Sequence, residues 1–215
     1  TRDPNDPYAV SRDDDEARFY RLMHRLLAAE LSAVMEALGD PPDIYNLDSD
    51  FWRAQEGAMR AEMIPLLHKL ALQGTEALAP TKAKPVPILW DEAVISEEAL
   101  SWARTYGYDL ISQLEDRTRR LVQEEVAEFV STPGGTIGQL RANLTSAFGA
   151  RRAQTIAVTE TTRAYSEGMT LVHQQVSRAG IQMDKVWQTS NDEIVQKCPI
   201  CWPNHDKRER EWVGV

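Results

Sequence analysis

Apolar positions recur at three- and four-residue intervals along most of this chain. Phe19, Leu22, Met23, Leu26, Leu27, Leu31, Val34, Met35 and Leu38 form the first such stripe, which predicts a helix with one face turned to a core. Asp13-Asp14-Asp15-Glu16 puts anions near its start, where the helix dipole favours them. Gly39-Asp40-Pro41-Pro42 ends it. A second helix is predicted from Asp48 or Ser49 to about Leu72, with Met59, Met63, Leu66, Leu67 and Leu70 facing inward and Pro65 kinking it. Together the two read as an αα-hairpin over residues 1–78.

The stretch 79–95 reads as a linker. Its densest part, Ala79 to Pro87, holds three Pro and two Lys, so it is extended rather than loose. Ser96 is predicted to cap a long helix with Glu97 and Glu98 in its first turn. Leu100, Ala103, Tyr106, Gly107, Leu110, Leu114, Leu121, Val122, Val126 and Phe129 carry that helix to Thr132-Pro133-Gly134-Gly135, roughly 50 Å at 1.5 Å per residue. Thr136 to Gln139 has capping-box spacing and opens a short helix ending at Phe148-Gly149.

From Arg151 the period stays helical through Ala153, Ile156, Ala157, Glu160, Ala164, Met169, Leu171, Val172 and Val176. Gly180 sits where a helix C′ residue belongs. The period then changes. Met183, Val186 and Trp187 suit a short strand, Ser190-Asn191-Asp192 is turn chemistry, and Cys198-Pro199-Ile200-Cys201 closes the unit.

This last region resembles the phage Mu F-like minor head protein family, also called the head morphogenesis family. The resemblance rests on a T-E-x-x-R-A-x-x-x-G run, here Thr159, Glu160, Arg163, Ala164 and Gly168. A K-x-W-x-T-x-x-D-x-x-V segment before a C-x-x-C pair follows, here Lys185, Trp187, Thr189, Asp192, Val195, Cys198 and Cys201. Gln196 and Lys197 separate Val195 from the first Cys, a departure from the family spacing. The resemblance covers 151–205 and extends back to Ser96. It implies a minor head domain over 96–215, truncated at its C-terminus, where the family continues to a His/Cys cluster. The missing initiator Met and the apolar Trp212-Val213-Gly214-Val215 likewise lead us to expect a piece of a longer protein.

Charge narrows the functional classes. The formal net charge is −9, with the acidic surplus in residues 1–130 and a slight basic surplus after them. That argues against a DNA-coating role and for an acidic face docking on a basic protein. Arg117, Arg119 and Arg120, then Arg151 and Arg152, then Lys207, Arg208 and Arg210 are the basic clusters; except for Arg151-Arg152 they are interleaved with acids and read as solvated faces. Trp52, Trp90, Trp102, Trp187, Trp202 and Trp212 read as core or partner anchors rather than a base-stacking platform. No apolar run reaches the ~20 residues of a membrane span.

Two Cys three positions apart read as a metal knuckle or redox pair of a reducing compartment rather than a disulfide staple. Cys198, Cys201 and His205 could supply three tetrahedral zinc ligands, with the fourth expected beyond Val215; the bland reading is a reduced pair packed in a tight turn. Glu160 and Arg163, three apart on the helix, read first as a polar face lacing it to its neighbours. An exposed pair at that spacing contributes only ~0.2–0.5 kcal/mol. The sharper reading is a buried polar junction with Lys185 or Asp192. No nucleophile–base–orienter triad supports hydrolysis.

The expected fold is therefore mainly α: an N-terminal helical hairpin, a linker, a long central helix and a helical domain with a small C-terminal β/Cys-knuckle unit. The resemblance implies a non-enzymatic minor capsid protein of a tailed phage, in the virion at the capsid interior or portal vertex and in the host cytoplasm during assembly. Its implied partners are the portal protein, then the major capsid or scaffold protein and packaged DNA, with zinc as the implied cofactor. Leu26, Met59 and Met63 on the hairpin are the expected partner-binding residues, because two helices alone bury too little apolar surface. The rival classes are a zinc-dependent enzyme or toxin-like module and a DNA-binding zinc module.

Overall fold

The computed structural model describes residues 9–78, 91–181, 186 and 196–207. It is mainly α. Helix α1 spans Ala9–Leu38, a single 3-10 turn Ile44–Asn46, and α2 Ser49–Leu78. Helix α3 spans Glu92–Ser131, α4 Ile137–Phe148, α5 Ala150–Arg178 and the short α6 Cys201–Asn204.

Local chemistry fixes most of these ends. The Asp48 carboxylate accepts the amides of Asp50 and Phe51, both at 2.9 Å, and so starts α2. Asp91 does the same for α3 through Ala93 and Val94, both at 3.1 Å. The long helix thus begins at Glu92, a turn before the expected Ser96 cap, and 91–95 belong to it rather than to a linker. Thr136 and Gln139 form the expected reciprocal capping box. Gly180, at φ 82°, ends α5 with the Ile181 amide on the Val176 carbonyl at 3.3 Å. Pro65 does not interrupt α2. Both it and Ala61, whose carbonyl loses its helical donor, stand on the exposed face where water can serve.

Helices α1 and α2 do not form a self-packed hairpin. They touch each other sparingly, and each lies along α5, while α2 also packs lengthwise on α3. One core holds Phe19, Met23 and Leu27 of α1 together with Met63 and Leu67 of α2 and Ala157 and Ala164 of α5. Leu26, Met59 and Met63, the expected partner anchors, are inside it at 9 %, 3 % and 0 % exposure. That expectation is corrected: α3 and α5 supply the cover that a partner was expected to give. Half of the Asp13–Glu16 run also turns inward, Asp13 and Asp14 staying exposed. Asp15 is buried and accepts from the Tyr165 hydroxyl at 2.7 Å, and Gln154 donates to Glu16 at 3.1 Å.

The tightest contact is between α2 and α5. A Cβ placed on Gly168 would lie 1.9 Å from the Ala71 carbonyl oxygen, and one on Gly74 would lie 2.3 Å from that of Tyr165. Backbone meets backbone there, which only glycine at both positions permits. Farther along α2, a Cβ on Gly107 of α3 would meet the Ile64 side chain at 3.0 Å. The expected strand residues Met183 and Trp187 lie outside the described residues; Val186 is exposed.

Gly168→Ala and Gly74→Ala should each destabilise the chain by about 3 kcal/mol or more, since backbone rather than a movable side chain meets the new methyl. Gly57→Ala, at an exposed helical site with nothing within 4 Å, should instead stabilise by roughly 0.5–1 kcal/mol. Urea unfolding of the three variants checks this ordering.

Candidate functional site

Three polar constellations stand out. The first is the Cys unit. Cys201 donates its backbone amide to the Cys198 sulfur at 3.2 Å, which turns both side chains to one side of a tight bend. The Cys201 thiol and the amides of Cys201 and Ile200 draw the Cys198 pKa down, while its bond to Cys198 holds the Cys201 thiol up. Buried Asn204 ties the bend by donating to the Ile200 carbonyl at 2.9 Å. His205 stacks on Trp202 with rings 7° apart and has Asp206 at 3.4 Å. Two sulfurs held this way fit half of a tetrahedral zinc shell. Among the described residues no group of three metal-ligating side chains is found.

The second is the Glu160–Arg163 pair. Glu160 is buried, and its partner is Tyr106 of α3, whose hydroxyl donates to the carboxylate at 2.6 Å. Arg163 donates to the same hydroxyl and lies 3.7 Å from Glu160. Tyr106 also stacks on Trp102 at 5.1 Å. Burial raises the Glu160 carboxyl and lifts the Tyr106 hydroxyl to about 12. The pair thus laces α5 to α3. Lys185 and Asp192, the other members of the expected junction, lie outside the described residues.

The third constellation was not singled out from the sequence. Glu30 of α1 and Glu115 of α3 are 2 % and 0 % exposed, and none of their four carboxyl oxygens meets a hydrogen-bond donor from another side chain or backbone group. A proton held between the two carboxyls is the bond left to them. Desolvation and the Glu115 charge push Glu30 up to about 9; desolvation pushes Glu115 up to about 7 despite the bond it accepts from Glu30. Arg152 of α5 supplies the facing cation. It is itself fastened to the Thr118 hydroxyl at 2.9 Å and to the Ala147 and Leu114 carbonyls at 2.8 and 3.0 Å. Arg152, half of the one basic cluster without interleaved acids, is therefore an internal tie. Arg119 is also committed, with its guanidinium over the Trp52 ring.

One signal could have found the pair. Glu30 falls seven residues after Met23 and four before Val34, and Glu115 between Ile111 and Thr118, so each acid interrupts a buried stripe. With essentially no exposed surface, the pair can hold a proton but cannot meet a substrate.

The sign of its effect on stability follows from the raised pKa values. Unfolded, both carboxyls ionise near 4.5. Above that pH the unfolded chain sheds protons that the folded chain keeps, so stability falls as pH rises through 7 towards 9. Glu30→Gln keeps a neutral donor facing Glu115 and removes the Glu30 share of that loss, the larger of the two, while desolvated Glu115 keeps its own. The variant should be more stable than the parent by about 1–3 kcal/mol near pH ~8, with the difference vanishing near pH ~5. Denaturant titrations across this range check it.

No family model matches this chain, and no curated protein and no solved structure matches it either.

Proposed function

We propose that this chain is a minor capsid protein of a tailed bacteriophage, acting structurally in head morphogenesis at the portal vertex. One observation supports this reading above others. In the T-E-x-x-R-A-x-x-x-G run, Glu160 and Arg163 lace α5 to α3, Ala164 is fully buried, and Gly168 admits the backbone of α2. Four of the five residues of that run are thus ones on which the packing of the long helices rests. Such residues mark a shared architecture rather than a shared reaction.

Among the described residues no helix is long and apolar enough to cross a membrane. In the proposed role a zinc ion would take the Cys198 and Cys201 thiolates and close the knuckle; its chemistry there is structural.

Co-expression with the portal protein of the same phage tests the function. The chain should co-purify with a ring-shaped portal oligomer, and its elution as a free species at every salt concentration would overturn the reading. Zinc has a separate test. Elemental analysis should find zinc in the purified protein and none in Cys198→Ser. Equal metal content and equal melting temperatures in the two would leave only the packed-turn reading of the pair.

A further inference from the structure

Because α1 and α2 both lie on α5 but diverge from each other, an open groove of about 590 Å³ runs between them. Arg18, Arg21 and Arg25 line its α1 wall and Lys69 its α2 wall. The floor is Leu22, Pro65 and Leu66. All four cations are exposed. Arg25 is paired with Glu62 at 3.0 Å, whereas no partner is found for Arg18, Arg21 or Lys69 among the described residues.

This arrangement is costly by itself. Three arginines at spacings of three and four on one helix repel one another by roughly 0.2–0.5 kcal/mol per neighbouring pair. In a chain of net charge −9, four cations and one acid gathered around one depression form a local inversion of sign. An anionic occupant would offset that repulsion.

We propose that the groove between α1 and α2 binds an acidic amphipathic helix from a protein partner. The floor decides the class. An apolar strip flanked by guanidinium groups matches a helix with leucines on one face and carboxylates beside them. Arginine forks grip carboxylates in pairs of parallel hydrogen bonds. A nucleic-acid backbone would leave Leu22 and Leu66 without apolar cover, and no aromatic ring lines the groove on which a base could stack. The inference stands on the groove alone and does not depend on the phage reading.

The probe is a labelled synthetic helix with leucines at helical spacing and glutamates flanking them, followed by fluorescence anisotropy. The full chain should bind it with a Kd of about micromolar order, more weakly as salt is raised. Arg21→Glu combined with Lys69→Glu should weaken binding by about tenfold or more, with a melting temperature that does not fall, because both side chains are exposed and the reversal relieves the repulsion along α1. A peptide with lysines in place of the glutamates should show the opposite preference, binding the double variant better than the parent. Absence of peptide binding, or binding indifferent to both charge reversals, would overturn the proposal. So would duplex DNA that displaces the peptide and is itself lost in the double variant, since the groove would then be a phosphate site.

Discussion

The contact between α2 and α5 at Gly74 and Gly168 is the constraint from which the remaining packing follows. With no side chain between the two backbones, the helices approach more closely than the usual 8–10 Å between axes allows for larger residues. Ala71, Thr75, Ala164 and Tyr165 are buried around that crossing. Once α2 is pressed onto α5, its other side is left to α3, where Gly107 again lets the Ile64 and Leu67 side chains come close. Helix α1 then covers the free flank of α5 through Tyr165 and Asp15. The core is continuous across residues distant in sequence.

Polar groups buried in that core act as registers. Glu160 with Tyr106, Asp15 with Tyr165, and Arg152 with Thr118 each join two helices at one defined height. The Glu30–Glu115 pair is different. It brings two acids together in a buried interior and depends on a retained proton and on the fixed Arg152 cation. A buried ionic set of this kind adds little net stability and penalises misaligned alternatives. Glu30 meets its proton-sharing partner only when α1 and α3 stand at the observed height.

Much of the helical architecture was legible in the sequence, because period, caps and breakers are local. The α1 stripe, the Thr136–Gln139 box, and the Gly39 and Gly180 stops all appear where the residues place them. What a helix face packs against is not local. The stripes of α1 and α2 are the same whether a partner or α5 covers them, so pattern alone lets Leu26, Met59 and Met63 fit a docking face as well as a core. Gly74 and Gly168 look like weak helix positions until their crossing is seen. In the sequence Gly168 is only one letter of a motif; its place at the crossing is what excludes a side chain there. In the Cys unit spacing names ligand types, while the stacking of His205 on Trp202 and its contact with Asp206 are visible only in three dimensions.

The central claim is that residues on both sides of 79–90 share one cooperative core organised about the α2–α5 crossing. Native-state hydrogen exchange tests it most directly. Amides of α2 around Met63 to Ala71 and of α5 around Ala157 to Val172 should carry the highest protection in the chain and open together, with equal free energies and equal denaturant dependence. Exchange of the α1 and α2 amides in a separate, less costly step while α3 and α5 stay protected would contradict the account and restore two separable units.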